Sequence, residues 1–426
     1  MEIFKKHIVG NDIFRVLYIK PFSYMMLSEF FSQLAFNMQH FVLIFIIYGL
    51  TRSNTAVSGI ILSFTIPAVL FSVVTGVHVD RWDKRKVLFF TNLIRGLLIL
   101  PFLIPGIHVG FIYTLTFLIA LATQFFIPAG SAIIPHLIPK RLIMSANSIL
   151  YLGVYTTMFL GYILAGPLLL FFGKTNTIVL LAALFFTSTF FVPFIKPKYN
   201  YSDSEEKSDV SFFRELREIF PFIKKTRKVM HALVVLTIAQ AIIFMFAVLG
   251  PGYVATILNV QIEHLSLILI APAALGMALG AFFLGSIARE FEFRWLSGVG
   301  FLLSGIIFIL FPFASKVTSR EFVHTLNSYL PNFIDITILH IIVVLAFMLG
   351  FAISLIFIPG HATIQIETNE KLRGRIYGLL NALVGAVSFL PVVLAGSFAD
   401  ILGVGSVVTG VGMIMLIISV FSYLFV

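Results

Sequence analysis

Long apolar runs, separated by short clusters of charge, cover almost the whole chain. They lie near 22–50, 55–78, 87–107, 109–135, 143–172, 176–195, 230–257, 263–288, 294–313, 336–364, 376–400 and 405–426. A helix needs about 20 apolar residues to cross the roughly 30 Å hydrocarbon core. Only helices and closed barrels satisfy their backbone polar groups in lipid. Runs this continuous lack the apolar-polar alternation of barrel strands. The pattern therefore predicts an all-α integral membrane protein with twelve transmembrane helices.

Composition agrees. The chain of 426 residues is 59% hydrophobic and 11% charged, against roughly 25% charged in soluble domains. Its net charge of +10 raises nucleic acid as a partner, but the placement of the charge removes that reading. If the termini are cytoplasmic, the 29 Lys and Arg residues all fall on or near the inner side except Arg52, Lys174, Lys316 and Arg320. Lys and Arg accumulate on the cytoplasmic side of membrane proteins. The asymmetry predicts a multi-pass protein of the cytoplasmic membrane with both termini inside. The absence of cysteine excludes disulfides, thiol nucleophiles and thiolate metal sites. The N-terminal stretch has no short apolar core followed by a small-residue cleavage site, so no signal peptide is expected. Most of the 48 Phe residues are expected to face lipid or pack between helices.

The chain repeats itself. FFIPAGSAI (125–133) is echoed by IFIPGHATI (356–364), and YILAGPLLLFFG (162–173) by VVLAGSFADILG (392–403). Gly76-x-x-x-Asp80 has a weaker echo in Gly285-x-x-x-Arg289, and a longer outer loop at 314–335 accounts for the difference in spacing. Two similar six-helix halves are a transporter architecture. The expected division is 1–195, a linker at 196–229, and 230–426. Within the linker, SFFRELREIFPFIKK (211–225) places Phe212, Phe213, Leu216, Ile219 and Phe220 on one helical face, as in a helix lying on the membrane surface. A tether is the plainer role for this segment.

The densest charge cluster between two spans is GVHVDRWDKRK (76–86), which cannot sit in hydrocarbon and must turn at the membrane surface. Gly76, Asp80, Arg81 and Arg85 in this spacing resemble the loop between the second and third helices of the major facilitator superfamily. Asp83 stands where that pattern usually has Gly, and is similar to macrolide-efflux-type drug:proton antiporters. PKRLIMSAN (139–147) and EKLRGRIYG (370–378) also resemble the family's inner loops. The resemblance implies twelve helices in two pseudo-symmetric halves and alternating access. It makes the loop a latch in which Asp80 meets the start of the eleventh helix near Arg373 and Arg375.

Glu29, Gln33, Asn37 and His40 share one face of the first helix. Polar groups within a span face the bundle or an aqueous cavity and mark ion pathways. Glu29 is thus a proton-coupling candidate, or else a structural acid hydrogen-bonded to a neighbouring helix; the resemblance adds that several multidrug members carry a functional acid here. The fourth helix carries Tyr113, Gln124 and Ser131, without the intramembrane Arg of many proton-coupled members. The seventh has Gln240, with Gly250, Pro251 and Gly252 expected to distort its outer end. The tenth has Ser354, His361 and Gln365; a lone histidine near a helix end is commonly structural. The resemblance makes Gln33, Asn37, Gln124, Gln240, His361 and Gln365 cavity-lining candidates, since helices 1, 4, 7 and 10 line the family's central cavity. Gly153, Gly161, Gly166 and Pro167 in the fifth helix resemble the antiporter motif of exporters, though close helix packing accounts equally for the glycines.

No metalloprotease, nucleophile-elbow or phosphate-loop motif is present. No enzyme activity, catalytic residue, cofactor or metal is expected. The expectation is a monomeric, proton-coupled exporter of small amphipathic or hydrophobic compounds. The alternatives are a lysolipid or lipid flippase or a siderophore exporter of the same fold, and, from another class, a membrane receptor or scaffold that does not transport.

Overall fold

The computed structural model describes residues 12–197, 220–287, 292–313, 323, 327 and 337–424. Among them there is no strand, and eleven stretches are long and apolar enough to cross a membrane. One of these, Lys140–Phe194, has 55 residues. At about 1.5 Å per residue it is far longer than one bilayer crossing. It breaks at Gly173, whose φ of 72° is a left-handed conformation that glycine adopts without a Cβ clash. This stretch is therefore two spans, and the twelve expected from the apolar pattern are present.

The spans are α1 (Lys20–Thr51), α2 (Asn54–Arg81), α3 (Lys84–Ile99) and α4 (Val109–Leu137). The two limbs of Ile143–Phe191 on either side of Gly173 are α5 (143–172) and α6 (174–191). Then follow α7 (Arg227–Gly252), α8 (Ala271–Ile287), α9 (Phe293–Phe313), α10 (Ile338–Glu367), α11 (Glu370–Leu402) and α12 (Val404–Leu424). A short helix, Asp12–Leu17, precedes α1. Polar residues cap the starts of α3 and α11. Asp83 starts α3 by accepting hydrogen bonds from the amides of Arg85 and Lys86. Asn369 starts α11 by accepting from the amide of Leu372. With that cap in place α11 begins at Glu370, earlier than the apolar pattern places it.

The distortion expected at Gly250, Pro251 and Gly252 takes a particular form. α7 continues through Pro251, and the chain then widens into a π-helical turn at Tyr253–Ile257, where the helix has lost a backbone donor to proline. Tyr253 Oη closes this end by donating to Phe311 O at 2.8 Å.

The chain forms two compact units, Met1–Leu43 with Ser63–Asp209, and Ile44–Leu62 with Val210–Val426. The end of α1 and the start of α2 therefore belong with the second unit. In the first unit, α3 packs on α4 and on the Ile143–Phe191 stretch. In the second, α8 pairs with α10, α9 with α12 and α10, and α7 with α11. Apolar helices in lipid gain little from hydrophobicity against one another, so small residues at the contacts matter. A Cβ on Gly305 of α9 would stand 2.9 Å from Gly412 O of α12. Most of the surface-helix segment expected over 211–225, most of the 314–335 loop, and Arg289 lie outside the described residues. Of that segment 220–225 is helical, with Ile223 buried against α7, α10 and α11.

Candidate functional site

Glu29 is 8% exposed within α1. Gln33, one turn on, donates from Nε2 to Glu29 Oε1 at 2.9 Å. Asn37, a further turn on, donates to Gln33 O at 2.8 Å. The predicted polar face of α1 is thus a hydrogen-bonded row. His40 ends it, bonded at Nδ1 to Phe36 O and tilted on the Phe64 ring. Glu29 has room on its other side because α4 presents Gly130 there: a Cβ at Gly130 would stand 3.2 Å from Oε2.

The feature missed in the sequence is Arg95. Counting charges groups it with the inner loop, yet it is 1% exposed inside the first unit. It lies eleven residues beyond Lys84, or about 16 Å along a helix, and that depth was the available signal. Its Nη2 donates to Ser32 Oγ at 2.7 Å and to Asn92 Oδ1. Nη1 reaches Thr123 Oγ1 at 3.5 Å. The guanidinium lies over Phe126 and Phe185, 4.3 and 5.0 Å from their centroids, a favourable arrangement for a cation away from water. Asn92 Nδ2 continues the network to Ser188 Oγ at 2.8 Å, and Ser188 donates to Ser28 O at 2.7 Å.

Helices α1, α3, α4 and α6 thus converge on one buried polar cluster. Ser32 is one turn from Glu29 on α1, and Phe126 is one turn from Gly130 on α4. Arg95 and Glu29 are therefore approached by the same two helices, and each lies within the other's electrostatic reach. Arginine keeps its charge in proteins, so Arg95 is a fixed buried cation, and Glu29 is the titratable group beside this network.

Of the other candidates, His361, Gln365 and Arg373 meet around the α10–α11 contact. Gln124 is half-buried and turned back on Ala120 O. Gln240 is half-buried on α7. On α10, His361 stacks on Tyr377 of α11 at 5.7 Å, and Gln365 donates to Tyr377 Oη at 3.4 Å. Arg373 donates to the carbonyls of Gln365 and Thr368, closing the end of α10. α2 carries Gly76 and Asp80 in its last turns and ends at Arg81; the Asp80 side chain lies outside the described residues. Arg85 reaches Pro193 O at 3.4 Å, and Arg375 lies half-buried in α11. In α5, a Cβ on Gly161 would stand 2.7 Å from Asn37 Cβ, and one on Gly153 3.3 Å from Met26 Cε. These glycines seat α5 against α1. Gly166 is buried in the same helix and Pro167 lies within it.

The family model described as Major Facilitator Superfamily matches residues 25–321. The uncharacterized MFS-type transporter YvqJ of Bacillus subtilis (strain 168) is 24% identical over 376 residues, covering 84% of this chain and 81% of its own. The uncharacterized MFS-type transporter YfmI of the same organism is 24% identical and covers 95% and 96%. Among solved structures, the nucleoside transporter NupG aligns with a TM-score of 0.71 at 11% identity, over 95% of this chain and 100% of its own. A bacterial homolog of the human lysosomal transporter Spinster aligns with a TM-score of 0.67 at 14% identity, over 95% and 96%. At these identities the likeness is one of fold.

Proposed function

The chain belongs to the Major Facilitator Superfamily, a family of transporters, and from that premise we propose that it is a proton-coupled exporter of small amphipathic or hydrophobic compounds, of the drug and macrolide efflux type. It works by alternating access in the cytoplasmic membrane, with both termini inside. Its halves are 1–195 and 230–426, joined by 196–229. Glu29 is the group that takes up and releases the proton, and Gln33, Asn37, Gln124, Gln240, His361 and Gln365 line the substrate path. Asp80, with Gly76, Arg81 and Arg85, latches the inner side against α11 near Arg373 and Arg375.

The observation that carries this reading is the placement of Glu29. It is buried in a span, held by one neutral hydrogen bond from Gln33, and given space by Gly130. A purely structural acid needs only its hydrogen bonds, whereas a coupling acid must change charge in each cycle. Flux in proteoliposomes with an imposed pH gradient separates the two, with ethidium, erythromycin and a fluorescent lysophospholipid as probes. The wild-type protein is expected to move at least one probe against its gradient. Glu29→Gln is expected to lose the response to the pH gradient by about tenfold or more, and Glu29→Asp to keep part of it. Uphill transport undiminished in Glu29→Gln would return Glu29 to a structural role. Movement of the lysophospholipid alone would favour a flippase.

A further inference from the structure

The start of α2 is held by an acid from far along the chain. Asp400, near the end of α11, accepts from Asn54 N at 2.7 Å and Thr55 N at 3.0 Å. It also accepts from Ser53 Oγ at 2.6 Å and Asn54 Nδ2 at 2.9 Å. Ser53 in turn accepts from Ala56 N at 3.2 Å. The first amides of a helix have no partner within it, and a carboxylate there also meets the positive end of the helix dipole. Asp400 therefore completes the N-terminus of a helix that is not its own.

The contact extends along α11. Ser58 Oγ donates to Val392 O at 2.8 Å, and a Cβ on Gly396 would stand 2.7 Å from Asn54 O. Val392, Gly396 and Asp400 recur every four residues, so one face of α11 carries the whole seam. In the internal repeat, Asp400 corresponds to Leu170, so only the second copy holds an acid. Asp400 is exposed, and water can take over its hydrogen bonds when the seam parts.

We propose that Asp400 is an outer latch: its carboxylate holds the first turn of α2 against α11 while the outer side is closed, and lets it go when that side opens. This rests on the alternating-access part of the proposed function, and not on its substrate or coupling ion. The latch lies at the end of α2 opposite Asp80, and the two would alternate.

Hydrogen–deuterium exchange on the purified full chain in lipid nanodiscs tests this without substrate or pH gradient, so a failed exporter reading leaves the result intact. Asp400→Asn is expected to speed exchange by about tenfold or more over 53–62 and 390–402, and to slow it over 370–380 at the other end of α11. Asp400→Glu should restore both ends in part. Ser53→Ala removes one donor from the carboxylate and should give the same two-ended change at smaller amplitude, which preserves the readout if Asp400→Asn folds poorly. Faster exchange confined to 53–62, with 370–380 unchanged in both variants, would make Asp400 a static cap and overturn the latch.

Discussion

Arg95 is held by the neutral oxygens of Ser32, Asn92 and Thr123 and by two aromatic faces, and Glu29 lies one turn along α1 from Ser32. Removing one member of a buried charged set costs about 3–5 kcal/mol, because the groups left behind lose their compensation. Arg95→Gln is therefore expected to destabilise the detergent-solubilised protein by about that amount. Arg95→Lys should fall between, since it keeps the charge but loses the planar fork that reaches Ser32, Asn92 and Thr123 together. If Arg95 and Glu29 act on each other, adding Glu29→Gln to Arg95→Gln will cost less than the two single changes combined, with a coupling of about 0.5–3 kcal/mol. Denaturation of the four proteins of this cycle measures it; strict additivity would show that the two groups are independent.

At the scale of elements, Asp83 explains a departure from the family pattern. Here the carboxylate caps α3 through the amides of Arg85 and Lys86. Replacing a capping Asp by Ala costs about 0.5–2 kcal/mol, but by Gly only a few tenths. Asp83→Gly is thus expected to be nearly neutral and Asp83→Ala measurably destabilising, with faster amide exchange at 84–87. Equal effects would mean that the cap contributes nothing. The echo between YILAGPLLLFFG and VVLAGSFADILG also has a structural outcome. Both segments close on a glycine of positive φ, 72° at Gly173 and 84° at Gly403, so the repeat preserves the way a span ends as well as its apolar length.

For the whole molecule, the distribution of Lys and Arg makes a prediction about sidedness. Lys140 precedes α5 and Lys174 follows the break at Gly173. One crossing of the membrane by α5 places them on opposite sides. The chain has no cysteine, so Lys140→Cys and Lys174→Cys each introduce a single thiol. An impermeant maleimide applied to intact cells should label Lys174→Cys and leave Lys140→Cys unlabelled until the membrane is opened. Labelling in the reverse order would invert the topology.

The sequence by itself determined the number of spans, because the length of an apolar run and the thickness of hydrocarbon are compared locally. It also determined that Glu29, Gln33 and Asn37 share a face, because helix periodicity orders residues one turn apart. Tertiary structure alone decided what those residues meet. Gly130 makes room for Glu29 from another helix, and Ser32, Asn92, Thr123 and Ser188 gather around Arg95 from four helices. The partners of Asp400 lie 345 to 347 positions away along the chain. A contact of that kind depends on how the helices pack, and no local pattern of apolar and polar residues encodes it.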